Sequence, residues 1–292
     1  MDASDRAGAQ GTSAGDPSRF DPAPRTWLFT PADQPRKLDA ALRSHAQVVI
    51  ADLEDAVASE RKELAREEAF AFIPGDGPPA EERAPLRVAR INDPRTDIGR
   101  ADLERLSVAS PPALMVPKAE LASLALAHAA GMPTVALVET ARGVAEVERI
   151  AALDGVLAVA IGTVDLAAEL HLGELPDDLE LLHVRSRVVL ACALAGIPAL
   201  DGVHLAIDDA DALAAQTRLA RALGFAGKLC IHPAQVAVVR EAFAPSAAEL
   251  ERARAVVDAY RRSRAEQRGA TLADGEMVDL ATVRRAEAIL RE

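Results

Sequence analysis

The sequence predicts an α/β protein, a (β/α)8 TIM barrel that carries a C-terminal helical arm. Three observations point to it. From Thr26 onward, short apolar runs alternate with longer amphipathic stretches, which is the rhythm of βα units in a parallel sheet. Eight such runs fall within about 220 residues, a repeat number and size that suit a closed barrel better than an open doubly wound sheet. Polar residues also cluster just beyond the C-terminal ends of the runs, where a barrel gathers its chemistry.

The expected strands are residues 27–30, 48–53, 86–91, 113–116, 134–139, 157–161, 198–201 and 227–231. Helix signals fix the phase between them. Ser59 precedes a charged first turn, and the stretch 141–152 sets Val144, Val147, Ile150 and Ala151 on one face. Gly131, Gly155, Gly196 and Gly224 stand where left-handed helix caps are expected. The barrel should close near Phe243, followed by a charged helix over 247–267, a polar turn over 269–275 and a last helix over 280–291. The division read from this is a disordered tail at 1–25, rich in Gly, Ala, Ser, Asp and Pro, a catalytic barrel at 26–245, and an arm at 246–292. That arm is too small to fold alone and should pack on its own barrel or on a neighbouring subunit's.

Composition narrows the function classes. The chain has 292 residues, 33 Lys and Arg against 45 Asp and Glu, and a net charge of −12, so it repels nucleic acid and needs a local basic pocket for any anionic ligand. With only 3% aromatic residues the core must be aliphatic. No run is long and apolar enough to span a membrane, and no secretory signal opens the chain. Cys192 and Cys230 lie in apolar strings as small buried residues, without disulfide or metal spacing, so a reducing, cytoplasmic location is expected.

The strand ends supply the candidate site, a polar rim that takes in Asp52 after the second strand, Gly162 after the sixth and Asp201 at the seventh. Glu139 terminates the apolar string Val135–Val138, and Asp165 follows the next strand. As hard oxygen donors without His or Cys nearby, they suit Mg²⁺ with several waters better than Zn²⁺. They can equally cap helices or pair with a nearby Arg. Arg90, ending the third strand, can hold a substrate carboxylate or an enolate oxygen through its planar fork, or else lie in a buried ion pair with Asp52, Glu54 or Asp55. Arg36 and Lys37 open a helix after Pro35 and can serve a phosphate or be a solvated helix start. Lys118 reads as a rim charge for the same anion rather than a Schiff-base amine. His45, His128, His171, His183 and His204 read as surface or structural, and His232 stands apart only by ending a strand.

Several motifs, in order and spanning nearly the whole chain after the tail, carry a family resemblance. They are LFTPADQPRK at 28–37, VIADLEDAV at 49–57, Arg90 to Asn92, Pro117 with Lys118, VETARGV at 138–144, IGTVDL at 161–166, LDGV at 200–203 and GKLCIHPAQ at 227–235. On these the chain resembles the citrate lyase beta-subunit-like group of the HpcH/HpaI aldolase family, which includes malyl-CoA and citramalyl-CoA lyases. The resemblance implies a Mg²⁺-dependent barrel enzyme, with Mn²⁺ able to substitute, that makes or breaks a carbon–carbon bond beside a CoA thioester and handles an α-keto acid. It implies Glu139 and Asp165 as metal ligands, Arg90 on the substrate's carboxylate or thioester oxygen, and Arg36, Lys37 and Lys118 at coenzyme A. Glu54 and Asp55 would orient Arg90 or metal-bound waters.

The segment GEMVDLATVRRA at 275–286 is similar to the family's terminal motif, whose acidic residue, here Asp279, reaches a neighbouring subunit's site to move a proton. A homotrimer or hexamer is therefore expected. Where the family's first loop usually reads Pro-Gly, this chain has Pro31 and Ala32, and Cβ at Ala32 restricts φ where a backbone approaches a phosphate. Two other activities use the same residues: hydrolysis of a malyl-CoA-type thioester, and a citrate lyase-like subunit that acts only with a carrier-protein partner.

Overall fold

The computed structural model describes residues 20, 22–73, 84–173, 175–265, 271–273 and 276–291. Eight parallel strands close into a barrel in sequence order: β1 Thr26–Pro31, β2 Val48–Asp52, β3 Leu86–Arg90, β4 Leu114–Val116, β5 Thr134–Val138, β6 Val156–Ile161, β7 Ala199–Asp201 and β8 Gly227–Cys230, with β8 pairing back to β1. Each expected strand is present, with ends displaced by no more than one residue. Strands buried on both faces read as continuous Val, Ile, Leu and Ala runs, and β2, β5 and β6 are buried at every position.

Helices α1 Pro35–Leu42, α2 Lys62–Phe72, α3 Asp97–Ser107, α4 Leu121–Ala129, α5 Ala141–Ala151, α6 Thr163–Glu169, α7 Leu182–Ala195, α8 Ala210–Leu223 and α9 Pro233–Phe243 complete the repeats. On α5, Val144, Val147, Ile150 and Ala151 face the core, as their spacing predicts. Gly131, Gly155, Gly196 and Gly224 all have positive φ, and Gly196 and Gly224 are the left-handed caps of α7 and α8.

Inside the barrel, Trp27, Val48, Ile50, Val88, Met115, Val135, Leu137, Ala158, Ala160, Leu200 and Leu229 form one apolar cluster. Phe20 packs edge-on to Trp27 with ring centroids 5.2 Å apart, and the Trp27 indole donates to Pro24 O. Phe20 falls in the stretch expected to be disordered, yet it belongs to this cluster because Trp27 gives it an aromatic partner. Residues 1–19 and 21 of that expected tail lie outside the described residues.

Strand alternation sends Asp201 out of the barrel, since its neighbour Leu200 points in. It therefore lies away from the rim cleft where its place at a strand end had suggested it. Register pairs Asp201 with Lys228. There Asp201 Oδ2 accepts from Lys228 Nζ at 2.6 Å, and Oδ1 accepts from Arg185 Nε of α7 at 3.1 Å. Lys228 also donates to Gly202 O at 2.7 Å. All three charged residues are fully buried.

The chain forms two compact units, Met1–Arg240 and Glu241–Glu292. In the second, α10 Ala247–Ala265 and α11 Leu280–Arg291 bury Ala253, Val257 and Ala286 between them. Part of the segment expected as a polar turn is instead a strand, β9 Thr271–Ala273, paired antiparallel with β10 Glu276–Val278. Its other positions, 269–270 and 274–275, lie outside the described residues, as do 266–267 of the helix expected over 247–267. Among the described residues no helix is long and apolar enough to cross a membrane.

Asp201→Ala removes the carboxylate that the buried Lys228 and Arg185 share, which should lower the unfolding free energy by about 3–5 kcal/mol in urea titrations. A loss below about 1 kcal/mol would mean that the triad does not hold β7 and β8 together.

Candidate active site

Parallel register builds the site. Pairing of β2 with β3 sets Asp52 opposite Arg90, and both follow inward-facing residues, Ile50 and Val88, so both side chains turn into the barrel mouth. Asp52 takes the guanidinium in two parallel bonds, from Nε to Oδ1 at 2.7 Å and from Nη2 to Oδ2 at 2.6 Å. Asp52 is itself fixed by the amide of Glu54 at 2.9 Å. Arg90 Nη1 lies 3.0 Å from Glu54 Oε2 and 3.8 Å from Asp55 Oδ2, and the guanidinium stacks over Phe29, 4.7 Å from the ring centre. Burial works against the Arg90 charge, but Asp52 and then Glu54 outweigh it and raise its pKa above the ordinary guanidinium value.

Arg90 thus sits in the buried ion pair that the sequence left open, and it also lines a cleft at the C-terminal end of the barrel. Phe29, Leu137, Ile161, Val203 and Leu229 form the apolar wall, and Arg90, Glu139, Gly162, Thr163, Val164 and Asp165 the rest. Glu139 follows β5 immediately and is 2% exposed. Its Oε1 accepts from the Lys118 amide at 2.8 Å, while among the described residues Oε2 accepts no hydrogen bond. Gly162 makes the room for it: a Cβ there would stand 2.5 Å from Glu139 Oε2. Burial first, and the charges of Glu54 and Asp165 after it, push the Glu139 carboxyl up to about 8 against the pull of the Lys118 amide and Arg90. Asp165 lies in the first turn of α6 and is exposed.

Lys118 links the carboxylates. Its backbone has φ 45°, a left-handed conformation rare outside Gly, and Nζ donates to Glu54 Oε1 at 2.7 Å. Burial disfavours its charge, but the bond to Glu54 more than compensates and raises the pKa. Glu54 is raised in turn, by burial before all else, with Arg90 and Lys118 pulling the other way, and its Oε2 is buried without a hydrogen bond. Lys62 Nζ anchors this loop on the carbonyls of Leu53 and Glu54 at 2.7 and 2.6 Å.

Arg36 and Lys37 lie exposed in the first turn of α1, without an ion pair among the described residues. Ala32 is buried, its amide donates to Asp52 O at 2.9 Å, and its φ is not positive, so Cβ strains no left-handed turn. Asp279 belongs to the second unit. It caps α11 by accepting from the Thr282 amide at 2.9 Å, and that bond holds its carboxyl below the usual range. The cysteines are free and buried, and burial pushes both thiols up to about 12.

Sequence reasoning placed Asp52 and Gly162 at strand ends and offered Asp52 as an alternative partner of Arg90, but gave Gly162 no role and did not single out Phe29 or Val203. The signal for Asp52 was available, because aligning the apolar runs of β2 and β3 sets it level with Arg90.

Comparison with known proteins places this geometry. The model of the HpcH/HpaI aldolase/citrate lyase family matches residues 25–233. A citrate lyase subunit beta-like protein of Mycobacterium tuberculosis is 40% identical over 272 residues, covering 91% of this chain and 94% of its own. A (3S)-malyl-CoA thioesterase of Cereibacter sphaeroides is 34% identical, covering 87% and 89%. An L-malyl-CoA/beta-methylmalyl-CoA lyase of the same species is 30% identical, covering 94% and 97%. The crystal structure of CitE from M. tuberculosis with magnesium, acetoacetate and coenzyme A superposes with a TM-score of 0.79 at 39% identity, over 92% of this chain and 97% of that one. The chain belongs to the HpcH/HpaI aldolase/citrate lyase family.

Proposed function

We propose that this protein is a Mg²⁺-dependent carbon–carbon lyase or synthase acting on a β-hydroxy acyl-CoA thioester of the malyl-CoA or citramalyl-CoA type. Its other products or substrates are an α-keto acid and acetyl-CoA or propionyl-CoA. The observation that carries the reading is a charge imbalance. With Glu139 ionised, Asp52, Glu54, Asp55, Glu139 and Asp165 stand around one mouth against three cations, Lys62, Arg90 and Lys118. A divalent cation would offset the excess.

The donors fit such an ion. They are hard oxygens, Glu139 Oε2 has no hydrogen bond, and Gly162 keeps its surroundings open. Among the described residues no group of three or more His, Cys, Asp or Glu side chains forms a closed cage. Glu139 and Asp165 would therefore hold Mg²⁺, or Mn²⁺ in its place, with water and substrate oxygens as the remaining ligands. Bound there, the ion supplies Lewis-acid polarisation of the α-keto acid carbonyl.

The chain's own residues do the rest. Cleavage releases a thioester enolate, and Arg90 is held by Asp52, Glu54 and Phe29 so that its charge faces the cleft without reorganising, as an oxyanion donor must. Glu54 keeps Arg90 and Lys118 in place, and Asp55 adds a weaker, exposed contact. Arg36 and Lys37 carry the uncommitted charge for the phosphates of coenzyme A, with Lys118 nearer the thioester. Asp279, contributed by a neighbouring copy in a homotrimer or hexamer, moves the proton, as base on the acetyl methyl in condensation or as acid to the enolate in cleavage.

A second reading is favoured by the 34% identity to a malyl-CoA thioesterase, in which water attacks the thioester at the same site. The likeness to citrate lyase subunit beta-like proteins supports a third, a subunit active only with a carrier-protein partner.

Incubation with Mg²⁺ and malyl-, citramalyl- and 3-hydroxy-3-methylglutaryl-CoA, following coenzyme A and keto acid together, separates these. The lyase releases acetyl-CoA with glyoxylate from malyl-CoA, pyruvate from citramalyl-CoA or acetoacetate from the methylglutaryl thioester; free malate with free coenzyme A would establish the thioesterase, and inertness to every thioester the partner-dependent subunit. Asp279→Ala should cut turnover by about 10²–10⁴-fold with metal affinity intact; unchanged turnover would remove Asp279 from the mechanism.

Glu139 gives a pH dependence. Its carboxyl is raised from 4.5 to about 8 in the fold, so its contribution to stability without metal is complete below pH 4.5 and is lost as pH rises toward 8. Thermal melts of metal-free protein should show that decline, and Glu139→Gln should flatten it. Mg²⁺ affinity should climb over the same interval, because the ion needs the ionised form. A pH-independent affinity between 6 and about 8 would contradict this assignment.

A further inference from the structure

Two glycines, Gly162 and Gly202, permit close approaches around the start of α6. Gly162 lets the Glu139 side chain lie against the start of α6. Gly202, directly after β7, does the same for Thr163, the first residue of α6: a Cβ at Gly202 would stand 2.5 Å from both Thr163 Oγ1 and Cγ2, and 3.1 Å from Ile161 O. Gly202 is held there from the other side. Its carbonyl accepts from Lys228 Nζ at 2.7 Å, and that ammonium is fixed by Asp201 at 2.6 Å, which Arg185 also grips. Lys228 is 1% exposed and does not line the cleft.

The geometry points to Gly202 and Lys228 as positioning residues for the cation: Lys228 pins the Gly202 carbonyl, and bare Gly202 seats Thr163 and hence the helical turn that carries Asp165 toward Glu139. The inference rests on the metal reading of Glu139 and Asp165. Physically, α6 is only seven residues long, and no side-chain hydrogen bond caps its N-terminus. Its placement depends on what packs against Thr163, and close packing permits no added methyl without a shift. A displacement of the first turn moves Asp165 relative to Glu139, which sits on a different strand.

The test is the Mn²⁺ dissociation constant of the full-length protein, read by electron paramagnetic resonance without substrate, beside the melting temperature. Gly202→Ala should weaken Mn²⁺ binding by about 10–100-fold. Thr163→Ala removes the two side-chain atoms that the new methyl would meet at 2.5 Å and leaves only the 3.1 Å approach to Ile161 O, so Gly202→Ala/Thr163→Ala should recover most of the affinity, which a general loss of stability would not do. Lys228→Met removes the donor to the Gly202 carbonyl at similar side-chain length and leaves Asp201 to Arg185; it should weaken Mn²⁺ binding in the same direction and decides the matter if Gly202→Ala does not fold. Unchanged affinity in Gly202→Ala or in Lys228→Met, or a double variant no better than Gly202→Ala, overturns the positioning role. A wild-type protein without a Mn²⁺ site, or with one that survives Glu139→Gln, instead overturns the metal reading and the positioning role with it.

Discussion

A carboxylate at the mouth of a barrel must be compensated where water is scarce, and the surroundings of Glu139 are organised around that cost. Burial and the neighbouring Glu54 and Asp165 disfavour its charge, while the protein offers it one backbone amide and a guanidinium already committed elsewhere. A site made only for stability would pair this group or replace it with an apolar side chain. Here, instead, one oxygen is left without a hydrogen bond, in a cradle that Gly162 keeps clear. That arrangement is costly unless something offsets it, and a cation held there, as proposed, would do so.

Arg90 follows the opposite logic. Its charge is saturated by Asp52 and supported by Glu54 and the Phe29 ring, so it is rigid. Rigidity is useful for stabilising an oxyanion, because a donor already in place needs no rearrangement when charge develops. Lys118 couples the two halves: its amide holds Glu139, its ammonium holds Glu54, and its left-handed backbone lets one residue do both. These contacts come from β1, β2 and β3 and from residues just after β2, β4 and β5, so the site depends on the pairing of five adjacent strands.

The barrel was legible because its strands are buried on both faces. Runs such as Val48–Asp52 and Thr134–Val138 announce themselves without ambiguity of period, and parallel connections leave little choice of order. Glu139 was legible for a related reason, as an acidic residue at the end of an apolar string. Asp201 misled because a strand-end position does not say which way a side chain faces; Leu200 takes the inward place and sends Asp201 to Lys228 and Arg185. Gly162 and Gly202 were silent as well, since the importance of a missing methyl depends on which atom approaches, and that contact joins separate strands. The hairpin of the second unit was read as a turn because three-residue strands carry too little alternation to register.

The most direct measurement is anomalous diffraction from crystals of the full-length protein soaked in Mn²⁺. One peak is expected in the cleft, about 2.1 Å from an oxygen of Glu139 and an oxygen of Asp165, with Arg90 still clamped by Asp52. A cleft without a peak at saturating Mn²⁺, or a peak bound by other residues while these two carboxylates face apart, would contradict the metal site from which the proposed chemistry follows.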